Sequence, residues 1–151
     1  MSSLRLLKGL LWFVTIYQFV MGFLLLMPPA AAQLVVSWYG ASVDWTPQFT
    51  FILKPLGAYM IMTGLIAAAA ARADVPHPAI TSSLAVLFGI NALYRILRFE
   101  YVRTTFGISS AHLTLQIVVL LGLAGALMFL YRAAARDTGA QPLASPQGSR
   151  A

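Results

Sequence analysis

Polar residues punctuate this chain at long intervals, and between them lie four long apolar stretches. The first covers about residues 6–27, with Lys8 near its start and Pro28-Pro29 at its end. The second covers about 49–71, carries Lys54 and Pro55 in its first turns, and closes on Arg72 and Asp74. The third, about 79–97, follows the breaker Pro76-His77-Pro78, and the fourth, about 111–131, runs into Arg132 and Arg136. A helix rises 1.5 Å per residue, so about 20 apolar residues cross a hydrocarbon core roughly 30 Å thick. Lipid offers no partner to a backbone N–H or C=O, which makes the helix the expected form of each stretch. The pattern therefore predicts an all-α, integral membrane four-helix bundle occupying residues 1–136. Residues 137–151, rich in Gly, Pro, Ser, Ala and Gln, are predicted to form a disordered tail.

The connections differ in character. Residues 28–48 hold Val35, Val36, Trp38, Tyr39 and Trp45 around Gly40 and Asp44, too apolar for a free loop. They predict a short interfacial helix or turn between the first two spans, where Trp and Tyr rings favour the headgroup level. A small hairpin across Gly40 is the alternative. The Arg72–Pro78 link is short, which makes spans two and three antiparallel neighbours, and 99–110 joins spans three and four. A basic start at Arg5 and Lys8, with Ala30-Ala31-Ala32 downstream, also suits a signal peptide. The apolar run is longer than the usual 7–15 residues, however, and reads as an uncleaved span. With four spans both termini share one side. That side carries Arg5, Lys8, Arg72, Arg132, Arg136 and Arg150, against Lys54, Arg95, Arg98 and Arg103 on the other. The excess predicts both termini in the cytoplasm.

Composition agrees with lipid as the solvent. Hydrophobic residues make up 60% of the chain and charged residues 9%, where globular domains carry about 25% charged. The net charge of +6 is scattered among the spans rather than gathered into a basic stripe, and no aromatic-basic nucleic-acid module is present, so nucleic acid is not an expected partner. Absence of cysteine removes disulfides, thiolate metal sites and Cys nucleophiles. The two histidines, His77 and His112, fall in different segments, and no metal site is expected.

The polar residues inside the spans carry the remaining information. Asn91, Arg95 and Arg98 stand at i, i+4 and i+7 and share one helix face. Lys54 opens span two, and His112 and Gln116 are an i, i+4 pair at the start of span four. All six fall in the half opposite the termini, with Tyr17 and Gln18 of span one near the midplane as a floor. Cations in lipid are costly, and only Asp44 and Glu100 are available on that side to neutralise them. The leftover charge suits an anionic headgroup, a carboxylate or a carbonyl-bearing ring. For Lys54 and Arg98 the competing reading is snorkelling to the headgroups. For Asn91 it is a bond across helices, for His112 an interfacial polar role, and for Glu100 service as counter-ion to an arginine. No phosphate-binding glycine loop, catalytic triad or pair of intramembrane carboxylates is present, so no catalytic residue is expected. Small residues mark helix contacts: Gly57 and Gly64 with Ala68 on span two, Gly122 and Ala126 on span four, and Gly89 on span three. Packing inside the bundle is their expected use, with self-association as the alternative.

The stretch from Lys54 through Pro55, Leu56, Gly57 and Tyr59 to Gly64 and Leu65 resembles the second span of small DoxX-like four-helix bacterial membrane proteins. Those proteins often show a basic residue, then a Gly, then a second Gly seven positions on. Lys54 stands where an Arg is commoner. The proline-ended first span, the segment through Trp38-Tyr39-Gly40 and Arg95 in Asn91-Ala92-Leu93-Tyr94-Arg95 also look like that group. The resemblance covers about residues 5–132. It implies a four-helix bundle in a bacterial cytoplasmic membrane, sometimes associated with quinone-linked or redox systems. The expected function is non-enzymatic: binding of a lipid, quinone or small amphiphile through Arg95, Asn91, Lys54, Arg98, His112 and Gln116. The alternatives are an accessory subunit of a larger membrane complex and a quinone-linked oxidoreductase subunit. Membrane lipids, other subunits or a second copy are the expected partners. No cofactor other than a quinone is suggested.

Overall fold

Proline sets most helix boundaries in the computed structural model, which describes residues 3–137. α1 (Ser3–Leu26) stops before Pro28, and α2 (Pro29–Trp38) begins with Pro29 at its first position. α3 (Pro47–Arg72) and α4 (Pro78–Leu97) likewise start on a proline. There the missing N–H costs nothing, because the first helical donors have no intrahelical acceptor anyway. Thr46 Oγ1 caps α3 by accepting from the Phe49 N–H at 3.1 Å, and His77 Nδ1 caps α4 by accepting from the Ala79 N–H at 3.2 Å. α5 (Phe99–Phe106) ends on Gly107, whose φ of +61° is the left-handed conformation glycine accepts. α6 (Ser110–Asp137) completes the set.

The four long helices α1, α3, α4 and α6 are long and apolar enough to cross a membrane, and they form the four-helix bundle that the sequence predicts. The connection after the first span holds a helix, α2, followed by a turn at Gly40 with φ +69°; the described residues contain no hairpin there. The 99–110 connection contains a helix that the apolar run lengths did not reveal. α5 is amphipathic and only eight residues long, with Val102 inward and Glu100 and Tyr101 outward. The predicted tail lies beyond the described residues, apart from Asp137, which ends α6.

α1 packs along α3, α4 along α6, and contact between α1 and α6 joins the two pairs, while α3 and α4 touch little. The half that holds the termini has one core built by all four spans: Leu7, Leu11 and Val14 of α1, Ala67, Ala70 and Ala71 of α3, Leu84, Ala85 and Phe88 of α4, Leu127 and Ala134 of α6. The Ser3 hydroxyl donates to the Asp137 carboxylate and ties the first span to the last. Towards the other end the core divides. Met21, Leu25, Ala32, Val35, Leu53 and Met60 join α1, α2 and α3, while Val102, Ile108 and Leu113 join α5 to α6.

Glycine controls the α1–α3 approach. A Cβ built at Gly22 would lie 2.7 Å from the Gly57 carbonyl oxygen, and one at Gly57 would lie 2.7 Å from that of Gly22. A Cβ at Gly64 would press on the Phe19 ring at 2.9 Å. Gly122 departs from the expectation of packing inside the bundle, whereas Ala126 is half-buried beside Leu127. α6 turns a seven-residue stripe inward, Leu113, Leu120, Leu127 and Ala134. Gly122 lies two residues from Leu120, about 200° round the helix. It is exposed, and nothing lies within 4 Å of a Cβ built there. Gly89 also has nothing within that distance.

Candidate functional site

The last carbonyls of a helix have no intrahelical donor, and at the end of α2 they find donors on α6. His112 Nε2 lies 3.1 Å from the Trp38 carbonyl oxygen, and Gln116 Nε2 donates to the Tyr39 carbonyl oxygen at 2.7 Å. A carbonyl only accepts, so the His112 Nε2 carries the hydrogen in this contact. Gly40 makes the approach possible: a Cβ there would sit 2.9 Å from the imidazole. The Ser42 N–H donates to the Phe106 carbonyl oxygen at 2.8 Å, which fixes the turn to the end of α5. α2, the turn and α5 thus form one layer over the end of the bundle where the core divides.

Arg95 of α4 lies under this layer. Its Nε donates to Gln116 Oε1 at 3.2 Å. The Gln116 amide is oriented by its other bond: with Nε2 committed to the Tyr39 carbonyl, Oε1 is left to face the guanidinium. Gln116 is six residues into α6, which places it about 9 Å along the axis from Ser110. The Arg95 head is therefore held inward rather than extended towards the end of its helix. The Tyr39 and Tyr17 hydroxyls are 2.7 Å apart. α1, α2, α4 and α6 all contribute to this network.

The six polar residues read from the sequence do not form one cluster. Arg95, Gln116 and His112 belong to the network just described. Lys54 stands apart, because its ammonium donates to the carbonyls of Leu25, Leu26 and Met27 at 3.3, 2.9 and 2.6 Å. Three donors meet three acceptors, so Lys54 closes the C-terminus of α1, where Pro28 and Pro29 leave the helix unfinished and the helix dipole favours a cation. An open cavity of about 530 Å³ lies beside it, lined by Pro29, Trp45, Thr46, Thr50 and Phe51 as well as Lys54. Asn91 bonds within its own helix, Nδ2 to the Leu87 carbonyl at 2.9 Å, instead of across helices. The Arg98 side chain is exposed, and it makes no side-chain hydrogen bond or ion pair among the described residues.

The acids explain the isolation of Arg95. All four acidic side chains of the chain, Asp44, Asp74, Glu100 and Asp137, are among the described residues. Glu100 accepts from Arg103 at 2.8 and 3.0 Å, the one ion pair among the described residues. Arg95 has none. A second unsatisfied group lies deeper. Gln18 is 7% exposed, and its buried Oε1 has no hydrogen-bond partner among the described residues. It stands on α1 between Val14 of the four-helix core and Met21 of the divided one. Tyr39 was missed by the sequence reading as a site residue. Its tie to α6 comes from a backbone carbonyl and from the register between α2 and α6, neither of which has a signature in residue spacing. Among the described residues no group of His and acids is placed to hold a metal ion.

Comparison with protein-family models, with curated proteins and with solved structures gives no match for this chain.

Proposed function

We propose that this protein is a non-enzymatic membrane bundle that binds an amphiphile, a lipid, a quinone or a similar molecule, with its polar head at Arg95. The observation that carries this reading is the unpaired Arg95 guanidinium, held inward by Gln116 with no acid beside it. Arg95 lies in the last turn of α4, where a cation can reach the headgroups at little cost; held inward it forgoes that, and cations kept inside a bundle mark binding or transport sites. His112 and Gln116 hold the end of α2 over that head, and the Tyr39 hydroxyl pairs with that of Tyr17. The resemblance of Lys54–Leu65 to DoxX-like proteins is in keeping with a small ligand-binding bundle in a bacterial cytoplasmic membrane. With the termini in the cytoplasm the site faces the outer leaflet. Arg95→Leu is expected to reduce the co-purified lipid or quinone several-fold, measured by mass spectrometry of gently solubilised protein. Unchanged bound species would sink the reading.

A second reading, an accessory subunit of a larger membrane complex, draws on α6. Its outward face exposes Leu115, Val118, Leu121 and Phe129 around Gly122. Native mass spectrometry of membranes dissolved in mild detergent decides it. A lone chain without partner subunits would count against it.

A further inference from the structure

We infer that the group Arg95 holds is an oxyanion, a phosphate or a carboxylate, rather than the neutral carbonyl of a quinone-like ring. This rests on the amphiphile-binding reading and narrows its ligand class.

Charge balance is the first argument. The half of the bundle opposite the termini carries Lys54, Arg95, Arg98 and Arg103 against Asp44 and Glu100, and Glu100 is already spent on Arg103. Asp44 makes no ion pair among the described residues, and the other two acids lie at the far end of the bundle. Lys54 is compensated by three carbonyls at the negative end of the α1 dipole. Among the described residues Arg95 has only a neutral amide oxygen. A carbonyl ligand would add a hydrogen bond and leave the charge standing, whereas an oxyanion removes it. Donor geometry is the second argument. Gln116 uses Nε alone, so the two terminal nitrogens of the guanidinium have no partner among the described residues. Those donors form a planar fork that matches two oxygens of one phosphate or carboxylate.

The test uses the full chain in nanodiscs of phosphatidylcholine, with or without phosphatidylglycerol, and compares it with Arg95→Gln, Arg95→Lys and the surface control Arg103→Gln. The readouts are the thermal midpoint and the lipid classes retained on purification. Wild type should retain phosphatidylglycerol several-fold over phosphatidylcholine and unfold at higher temperature in its presence. Arg95→Gln should lose both effects, Arg95→Lys should keep part of each, and Arg103→Gln should keep both. If inorganic phosphate in neutral discs reproduces the thermal gain, the oxyanion is a soluble one; if only phosphatidylglycerol does, it is a headgroup. Should Arg95→Gln instead lose a neutral amphiphile while anionic lipid has no effect, the oxyanion assignment is overturned and the amphiphile reading stands. If Arg95→Gln changes nothing in either readout, both fail. An equal loss in Arg103→Gln would assign the preference to surface charge and overturn the inference.

Discussion

Two cations in adjacent stretches of sequence look alike and do different work. Lys54 and Arg95 each sit near the end of a span, each in the half opposite the termini. Lys54 gives its three hydrogens to the unfinished end of α1, while Arg95 gives one to Gln116 and keeps the rest. The difference predicts opposite phenotypes. Lys54→Leu removes the donors of three carbonyls, two of them in part-buried bonds, and each lost bond of this kind costs about 0.5–1.5 kcal/mol. The variant should unfold at lower denaturant or temperature than wild type while retaining the same lipid classes on purification. Loss of bound lipid with unchanged stability would return Lys54 to the binding site.

At the scale of elements, the small residues also separate. Gly57 was legible from sequence as part of a stripe with Gly64, but its partner Gly22 was not, since a single glycine within an apolar run has no spacing to announce it. The two backbones meet with no room for a Cβ on either side. Gly57→Val must push α1 and α3 apart, and overpacking of this kind costs about 1–3 kcal/mol. Gly122 lies on the open face of α6, where valine meets nothing and gains about 0.3–0.5 kcal/mol of helix propensity over glycine. Thermal unfolding of the two variants side by side should show Gly57→Val destabilised and Gly122→Val at or above wild type. A fall for Gly122→Val would indicate that its face is covered, as the subunit reading requires.

At the scale of the whole molecule, the run lengths carried most of the fold. Four stretches of spanning length, stopped by Pro28 and introduced by Pro47 and Pro78, leave little choice of architecture. α5 escaped because a short amphipathic helix between spans resembles a polar link, and only the left-handed Gly107 marks its end. The site was legible as residue types in one half of the bundle. Helix face and depth do not specify which side chain meets which, so Lys54 and Asn91 were grouped with Arg95 although their bonds lie elsewhere. The divided core has a dynamic consequence. The half with the termini is closed by one cluster drawn from all four spans, while the other half is held by two smaller clusters and by the hydrogen bonds of His112, Gln116 and Ser42. Fewer shared apolar contacts and more polar ties mean a lower free energy of local opening. In nanodiscs, amide hydrogen exchange should therefore be faster in α2, the 39–46 turn and α5 than at Ala67–Ala71 or Leu84–Phe88. An anionic amphiphile bound at Arg95 adds contacts beneath α2 and Gln116, so it should slow exchange in α2 and the turn in wild type and leave Arg95→Gln unaffected. Uniform protection from one end of the bundle to the other would show that the layer is as firmly packed as the core, and that its hydrogen bonds to α6 do not act as the weak point through which the head of a ligand is enclosed.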